Sequence, residues 1–449
     1  MSDNLLKDVA VRATRYRDEV TQRGVFPSST ALRDLQRFSV ELQDESIDAA
    51  KVLAELDTLG APATVACTGG RYFGFVTGGA LPAAMAANML AAVWDQNGGL
   101  EIQSPLAAHL ERVCRDWLVA LLGLPAQTEV GFVTGATMAN FTGLAAARHA
   151  VLHAHGWDVE AQGLFGAPPI TVVVGDEVHV SVLKALGMLG LGRERVIRVP
   201  VDGQGRMTAA RLPAIDGPTI VCAQAGNVNT GAFDPLGDIV ARLHGTGAWI
   251  HVDGAFGLWA AASPARRALA GRIDLADSLA TDAHKWLNVP YDSGLVFVRD
   301  RRALNAAMSV SAAYLIAGYT RDPHSFVPEG SRRARAIEVW AALRSLGRRG
   351  LVEMIERNCR HAARFASELR KAGYQVLNDV VLNQVVVSFG TPEATRRVIA
   401  AIQEDRTCWC GGTSWQGNTA MRISVSSWAT TDADVEQSIA AILRCAREA

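Results

Sequence analysis

The chain has 449 residues, of which 49 % are hydrophobic and 20 % charged, with a formal net charge of −1. That length exceeds one small core and predicts two or more domains around a large buried interior, in a globular rather than a disordered chain. The balanced charge leaves no basic surplus to hold nucleic acid or anionic lipid, so neither nucleic acid nor membrane is an expected partner.

The opening Met1–Asp8 lacks the basic head and apolar core of a signal peptide. Residues 1–60 are charged and helical in pattern, broken at Phe26-Pro27-Ser28-Ser29. Such a polar arm is expected to pack on something else, because short helices are marginal alone. The apolar run near Ala80–Trp94 holds Asn88 and is too short to span a bilayer, so it predicts a buried helix. From about Ala61 to Arg299, helical stretches (106–122, 137–153, 182–191, 238–244) separate short apolar strands (130–133, 170–174, 195–198, 219–223, 248–252, 294–298). Strands alternating with helices predict an α/β fold with a mainly parallel sheet covered on both faces. The stretch Asp300–Gly330 reads as looser, a lid between two domains, and holds Tyr314, Tyr319 and His324. Helices at 331–346, 351–372, 391–405 and 432–447, with strands at 383–388 and 421–426, make a smaller α+β unit. The expected divisions are therefore 1–60, 61–325 and 326–449. Seven scattered cysteines, with Cys408-Trp409-Cys410 the one close pair, match neither a disulfide framework nor a metal site. Reduced thiols in a cytoplasmic setting are the expectation, with no metal.

Ligands in open α/β sheets bind beyond the carboxyl ends of the strands, so strand-end residues carry the functional reading. The turn Thr134–Asn140 opens a helix with small residues at Gly135 and Ala136 and a hydroxyl at Thr137. It reads as an anion cup at a helix N-terminus, though a tight strand-to-helix turn uses the same residues. His179 follows the next strand and is placed to stack on a flat ring or to cap a helix. The polar turn Gln224–Gly231 offers Asn227. Asp253 ends a further strand, where a buried carboxylate needs a partner: a protonated ring nitrogen, or the backbone amides of the next helix. Lys285 then stands between His284 and Trp286. An amine that loses hydration deprotonates more easily and can form an imine with an aldehyde. A Schiff-base lysine with an aspartate facing a pyridinium nitrogen is the signature of pyridoxal 5'-phosphate (PLP) chemistry.

The residues Ser104–Glu111, Gly135–Asn140, His179, Gly226–Pro235, His251-Val252-Asp253, His284-Lys285-Trp286, Ser331-Arg332-Arg333 and Met421–Ser424 resemble the group II PLP-dependent amino acid decarboxylases. These have the fold-type I, aspartate aminotransferase-like scaffold, which implies a large domain with a seven-stranded sheet, a smaller C-terminal domain and an N-terminal arm. By that resemblance Lys285 would form the internal aldimine and Asp253 would pair with the pyridine nitrogen. His179 would stack on the ring with Ala255 beneath it, and Gly135, Ala136, Thr137 and His284 would hold the phosphate. The family's second glycine and acidic residue in the phosphate turn are replaced here by Ala136 and Met138. In place of the family's loop tyrosine the chain shows Pro323-His324-Ser325, which offers His324 as the acid that protonates Cα, or Tyr314 or Tyr319 under another threading. The implied reaction is α-decarboxylation of an L-amino acid to an amine and carbon dioxide, in a homodimer whose partners share active sites. An aminotransferase or carbon–carbon lyase on the same fold is the alternative. Phe73, Phe75, Trp94 and Gln96 are candidates for the side-chain pocket. Arg422 stays open between gripping the substrate carboxylate and a structural ion pair.

Overall fold

The computed structural model describes residues 2–310 and 321–449; Tyr314 and Tyr319 lie outside them. The chain divides into two compact units, Gly78–Ala363 with Asn378–Val385, and Met1–Thr77 with Arg364–Leu377 and Val386–Ala449. This differs from the three-part division drawn from the sequence. The N-terminal arm groups with the C-terminal segments, and residues 326–363 group with the larger unit.

The larger unit is built on seven strands: β1 (Glu129–Val133), β2 (Thr171–Gly175), β3 (Ile197–Val199), β4 (Thr219–Gln224), β5 (Trp249–Asp253), β6 (Ser278–Asp282) and β7 (Gly294–Val298). Their order is β1-β7-β6-β5-β4-β2-β3. β7 runs antiparallel to both neighbours, and the other pairs are parallel. Every residue of β1, β4, β5, β6 and β7 is buried, which is why four of these five read as continuous apolar runs. β6 does not: its Ser278, Thr281 and Asp282 are polar, and it was absent from the expected strands.

The helix Ala136–His153 crosses the sheet and packs on β5, β6 and β7. Small residues (Gly143, Ala145, Ala146, Ala147) let it lie close, and a Cβ on Gly143 would stand 3.0 Å from His251 Cε1. Leu144, Val174, Leu186 and Ile220 fill the core beside it, each contributing about 1.5–3 kcal/mol by leaving water. The helix Pro105–Leu122 has sequence-readable ends: Ser104 accepts the Ala107 N–H, Pro105 leads the first turn, and Gly123 closes it with φ 70°.

Two expectations are corrected here. The helix Pro82–Trp94 forms, but it buries only Ala84 fully and leaves Met89, Leu90, Val93 and Trp94 exposed. Apolar composition signals a face that seeks cover and does not say that the same chain supplies it. The described parts of the stretch 300–330 are more ordered than a loose lid: Asp300 caps a helix at Arg301–Met308, and a short 3₁₀ turn spans Pro323–Phe326.

The second sheet comprises β8 (Gln375–Val376), β9 (Gln384–Ser388), β10 (Gly411–Trp415) and β11 (Asn418–Ser424), in the order β10-β11-β9-β8. β10–β11 and β8–β9 are antiparallel. Within the smaller unit the N-terminal arm finds support on its own chain. Val25 donates to the Arg406 carbonyl at 2.8 Å, and the Arg406 Nε donates back to the Phe26 carbonyl at 2.7 Å. No helix among the described residues is long and apolar enough to cross a membrane.

Candidate active site

β5 and β6 lie side by side and end at Asp253 and Asp282. Ala255 bridges the two ends: its N–H donates to Asp253 Oδ1 at 3.1 Å, and its carbonyl accepts the Asp282 N–H at 2.9 Å. The chain then turns through His284 and Lys285. The Lys285 ammonium stands 2.9 Å from Asp282 Oδ2, with its side chain 20 % exposed and so open to a ligand. Its neighbours are locked. Trp286 is fully buried and donates from Nε1 to Asn358 Oδ1 at 2.9 Å, and Trp259 donates to the Asp282 carbonyl at 3.0 Å. Gly78 presses on the same turn, where a Cβ would run into the Lys285 carbonyl oxygen. Only glycine fits that approach.

Asp253 is buried, and its described partners are all neutral: Asn140 Nδ2 at 3.2 Å, Ser181 Oγ at 3.4 Å and the Ala255 N–H. A relay of fixed direction stands behind it. Asn140 Nδ2 faces Asp253, so its Oδ1 faces His251 Nε2, 2.9 Å away, and that nitrogen must carry the proton. His251 is kept neutral by burial, which pushes its pKa down to about 3. Its Nδ1 therefore accepts the Ser278 hydroxyl at 2.8 Å, and Ser278 Oγ accepts from Trp249 Nε1 at 2.8 Å. Asp253 is thus oriented without being neutralised, which leaves its charge for a cationic ring nitrogen.

At the N-terminus of the helix Ala136–His153, Gly135 is the cap residue and the Ala136 N–H donates to Asp282 Oδ1 at 2.5 Å. His284 Nδ1 accepts the Ser293 N–H at 3.1 Å, so its Nε2 bears the proton and faces Asp282 Oδ1 at 3.3 Å. Burial lowers the His284 pKa, and the Asp282 carboxylate opposes that shift. The Tyr291 ring lies 4.4 Å from the His284 ring. Thr137 is half-buried at the second helical position. His179 caps the helix Val180–Met188, and its Nδ1 lies 2.7 Å from Ser181 Oγ, the hydroxyl that also reaches Asp253. Asn227 orders its own turn, its Oδ1 accepting from the Asn229 and Thr230 amides. Its Nδ2 is buried without a hydrogen-bond partner among the described residues.

The structure thus gathers Lys285, Asp253, Ala255, His284, Gly135, Ala136 and His179 into one hydrogen-bonded neighbourhood. The main-chain N–H of His324 donates to the Gly99 carbonyl at 2.9 Å, and none of its described contacts runs to Lys285 or Asp253. Phe73, Phe75 and Arg422 belong to the smaller unit: Phe73 is buried edge-on to Phe365, Phe75 is exposed and stacked on Trp409, and Arg422 stands on β11. Trp94 is exposed, its carbonyl accepting from Gln96 Nε2. Sequence reasoning gave no role to Asp282, Asn140, Ser181 or His251. Asp282 carried a readable signal, a carboxylate three residues before the lysine on the same turn. The others meet only through tertiary packing, His251 through strand register and Asn140 and Ser181 through helices laid against the sheet.

These residues fit PLP on three counts: an approachable amine, a carboxylate with no cationic partner among the described residues, and anion donors at a helix N-terminus. Comparison with known proteins agrees. The family described as pyridoxal-dependent decarboxylase conserved domain matches residues 33–389. The aromatic-L-amino-acid decarboxylase of Bacillus atrophaeus is 30 % identical over 303 residues, covering 64 % of this chain and 58 % of that protein. Tryptophan decarboxylase 1 of Oryza sativa subsp. japonica is 28 % identical over 328 residues, covering 67 % and 62 %. The matched region spans about three fifths of the length of these relatives. The crystal structure of Oryza sativa TDC with PLP and tryptamine superposes with a TM-score of 0.90 at 22 % identity, over 100 % of this chain and 97 % of that one, which shows the shared fold. The chain belongs to the pyridoxal-dependent decarboxylase family.

Proposed function

We propose that this chain removes the α-carboxylate of an L-amino acid as carbon dioxide, leaving an amine, with PLP linked through Lys285. The observation that carries the reading is the pairing of an approachable lysine with an unneutralised aspartate across adjacent strand ends, in a chain of this family. When bound, the cofactor supplies an electron sink for the pair left behind as carbon dioxide departs. Asp253 keeps a proton on the ring nitrogen, and the Asn140–His251–Ser278 relay keeps Asp253 aimed at it. His179 and Ala255 would hold the ring. Gly135, Ala136, Thr137 and His284 receive the phosphate, and the unpaired Asn227 amide has a polar ring substituent as its partner. Lys285 would hold the cofactor through its amine. His324 is left out of this scheme, because its described contacts lead away from the group.

We place the active form in a homodimer. Met89, Leu90, Val93 and Trp94 on one helix, followed by Ile102 and Leu106, form an exposed apolar surface of the kind that a second chain covers. Seven free thiols suit a reducing cytoplasm.

The test is a panel of aromatic, acidic and diamino L-amino acids, with carbon dioxide, amine and keto acid all measured. Carbon dioxide and amine should appear in equal amounts, and borohydride reduction should fix PLP on Lys285 by peptide mass. Keto acid without carbon dioxide would make the chain an aminotransferase, and an adduct on another lysine would overturn the assignment.

A further inference from the structure

Asp282 is a buried carboxylate, its side chain 3 % exposed, and its described partners form a particular set. They are the Ala136 N–H at 2.5 Å, the His284 Nε2–H at 3.3 Å and the Lys285 ammonium at 2.9 Å. The first two are donors that the proposed function gives to the cofactor's phosphate, and the third is the amine it gives to the cofactor's aldehyde. Helix N-terminal amides attract any anion, internal or external. Here the internal one sits on a strand end fixed by Trp259 Nε1 at the Asp282 carbonyl and by the Asp282 N–H at Ala255.

We propose that Asp282 is a built-in competitor for the phosphate: it occupies the phosphate's donors in the cofactor-free protein and must release them for loading. This rests on the placement of PLP at Lys285. Two consequences of opposite sign follow. Without cofactor, Asp282 satisfies a buried N–H and pairs with the partly exposed Lys285 ammonium, so it stabilises the empty protein. With cofactor, its charge faces an incoming dianion across the same donors, so it weakens binding. A side chain that merely supported the fold would move both quantities in the same direction.

The experiment compares wild type with Asp282→Asn and Asp282→Ser, all freed of cofactor, by thermal unfolding and by spectroscopic titration with PLP and with pyridoxal. The variants should unfold at lower temperature when empty, yet bind PLP about tenfold or more tightly. The gain should be much smaller for pyridoxal, which has no phosphate. PLP binding that weakens or stays unchanged overturns the proposal, and so does an equal gain for pyridoxal, which would place the effect at Lys285. Wild type carries the test if the variants do not fold. Inorganic phosphate should compete with PLP only at millimolar concentration, and micromolar competition would mean that the donors are already free. Peptide mapping of the reduced wild type separates two failures. An adduct away from Lys285 defeats the placement of the cofactor, whereas an adduct on Lys285 without the affinity gain defeats only the role of Asp282.

Discussion

Glu111 and Asp282 are both carboxylates removed from water, and they are partnered in contrasting ways. Glu111 receives Arg332 at 2.5 Å and Arg321 at 3.2 Å. Arg321 also reaches Glu129 at 3.1 Å and the Val130 carbonyl at 2.6 Å, while its guanidinium lies 4.1 Å over the Phe326 ring. Arg332 adds the Phe132 carbonyl at 3.3 Å. The four charged side chains are 1–6 % exposed, and the half-exposed Arg301 adds a third cation 3.5 Å from Glu129. Guanidinium groups do not deprotonate and grip carboxylates through a rigid fork, so the cluster is closed. It pins both ends of the segment 321–332 to β1 and to the helix Pro105–Leu122, which is why that part of the expected lid is fixed. Asp282 is held by a backbone N–H, a neutral imidazole and one lysine, each of which can turn to another anion. The contrast teaches that burial alone does not mark a site. Exchangeable partners do.

The contrast breaks most severely at Arg332. Arg332→Met leaves the buried Glu111 with Arg321 as its one remaining arginine and should cost about 3 kcal/mol of stability, read by denaturant unfolding. The affinity for PLP should stay as it was; a parallel loss of affinity would mean that the two clusters are not independent. Asp253→Asn comes next. The variant should retain PLP and most of its stability but lose turnover about a hundredfold or more, because the ring nitrogen loses its charged partner. Near-normal turnover would reduce Asp253 to a fold residue. The smallest effect at neutral pH is expected at His251, whose pKa of about 3 lies below the ordinary 6.5. An unfolded histidine takes up a proton near its ordinary pKa, and the folded one does not until far lower pH. The stability it contributes above 6.5 is therefore lost as pH falls towards 3, by about 1.4 kcal/mol per pH unit. His251→Gln should flatten the pH–stability profile in that window; an unaltered slope would mean that the imidazole is charged in the fold and the relay runs otherwise.

Strands buried on both faces, such as Glu129–Val133 and Gly294–Val298, were legible because burial writes itself as an apolar run. Ser278–Asp282 escaped notice because its polar side chains are satisfied by other segments, Thr281 by the Gly254 carbonyl and Ser278 by Trp249 and His251. No local pattern encodes those partners. Asp253 was legible because it ends an apolar strand, and Lys285 because it stands between His284 and Trp286, although the strand before it went unread. The relay was not, because it depends on β5 and β6 meeting in the register that sets His251 beside Ser278. Nothing in the spacing of Phe73 and Phe75, offered for the side-chain pocket, or of Arg422, left open between the substrate carboxylate and a structural ion pair, ties them to Lys285.

Trp286 and Trp259 are fully buried, one next to Lys285 in sequence and the other bonded to the Asp282 carbonyl. Indoles so placed emit in the near ultraviolet, where a bound pyridoxal chromophore absorbs. The site therefore carries its own optical gauge: occupancy is reported as quenched emission from two rings that hold the lysine turn in place.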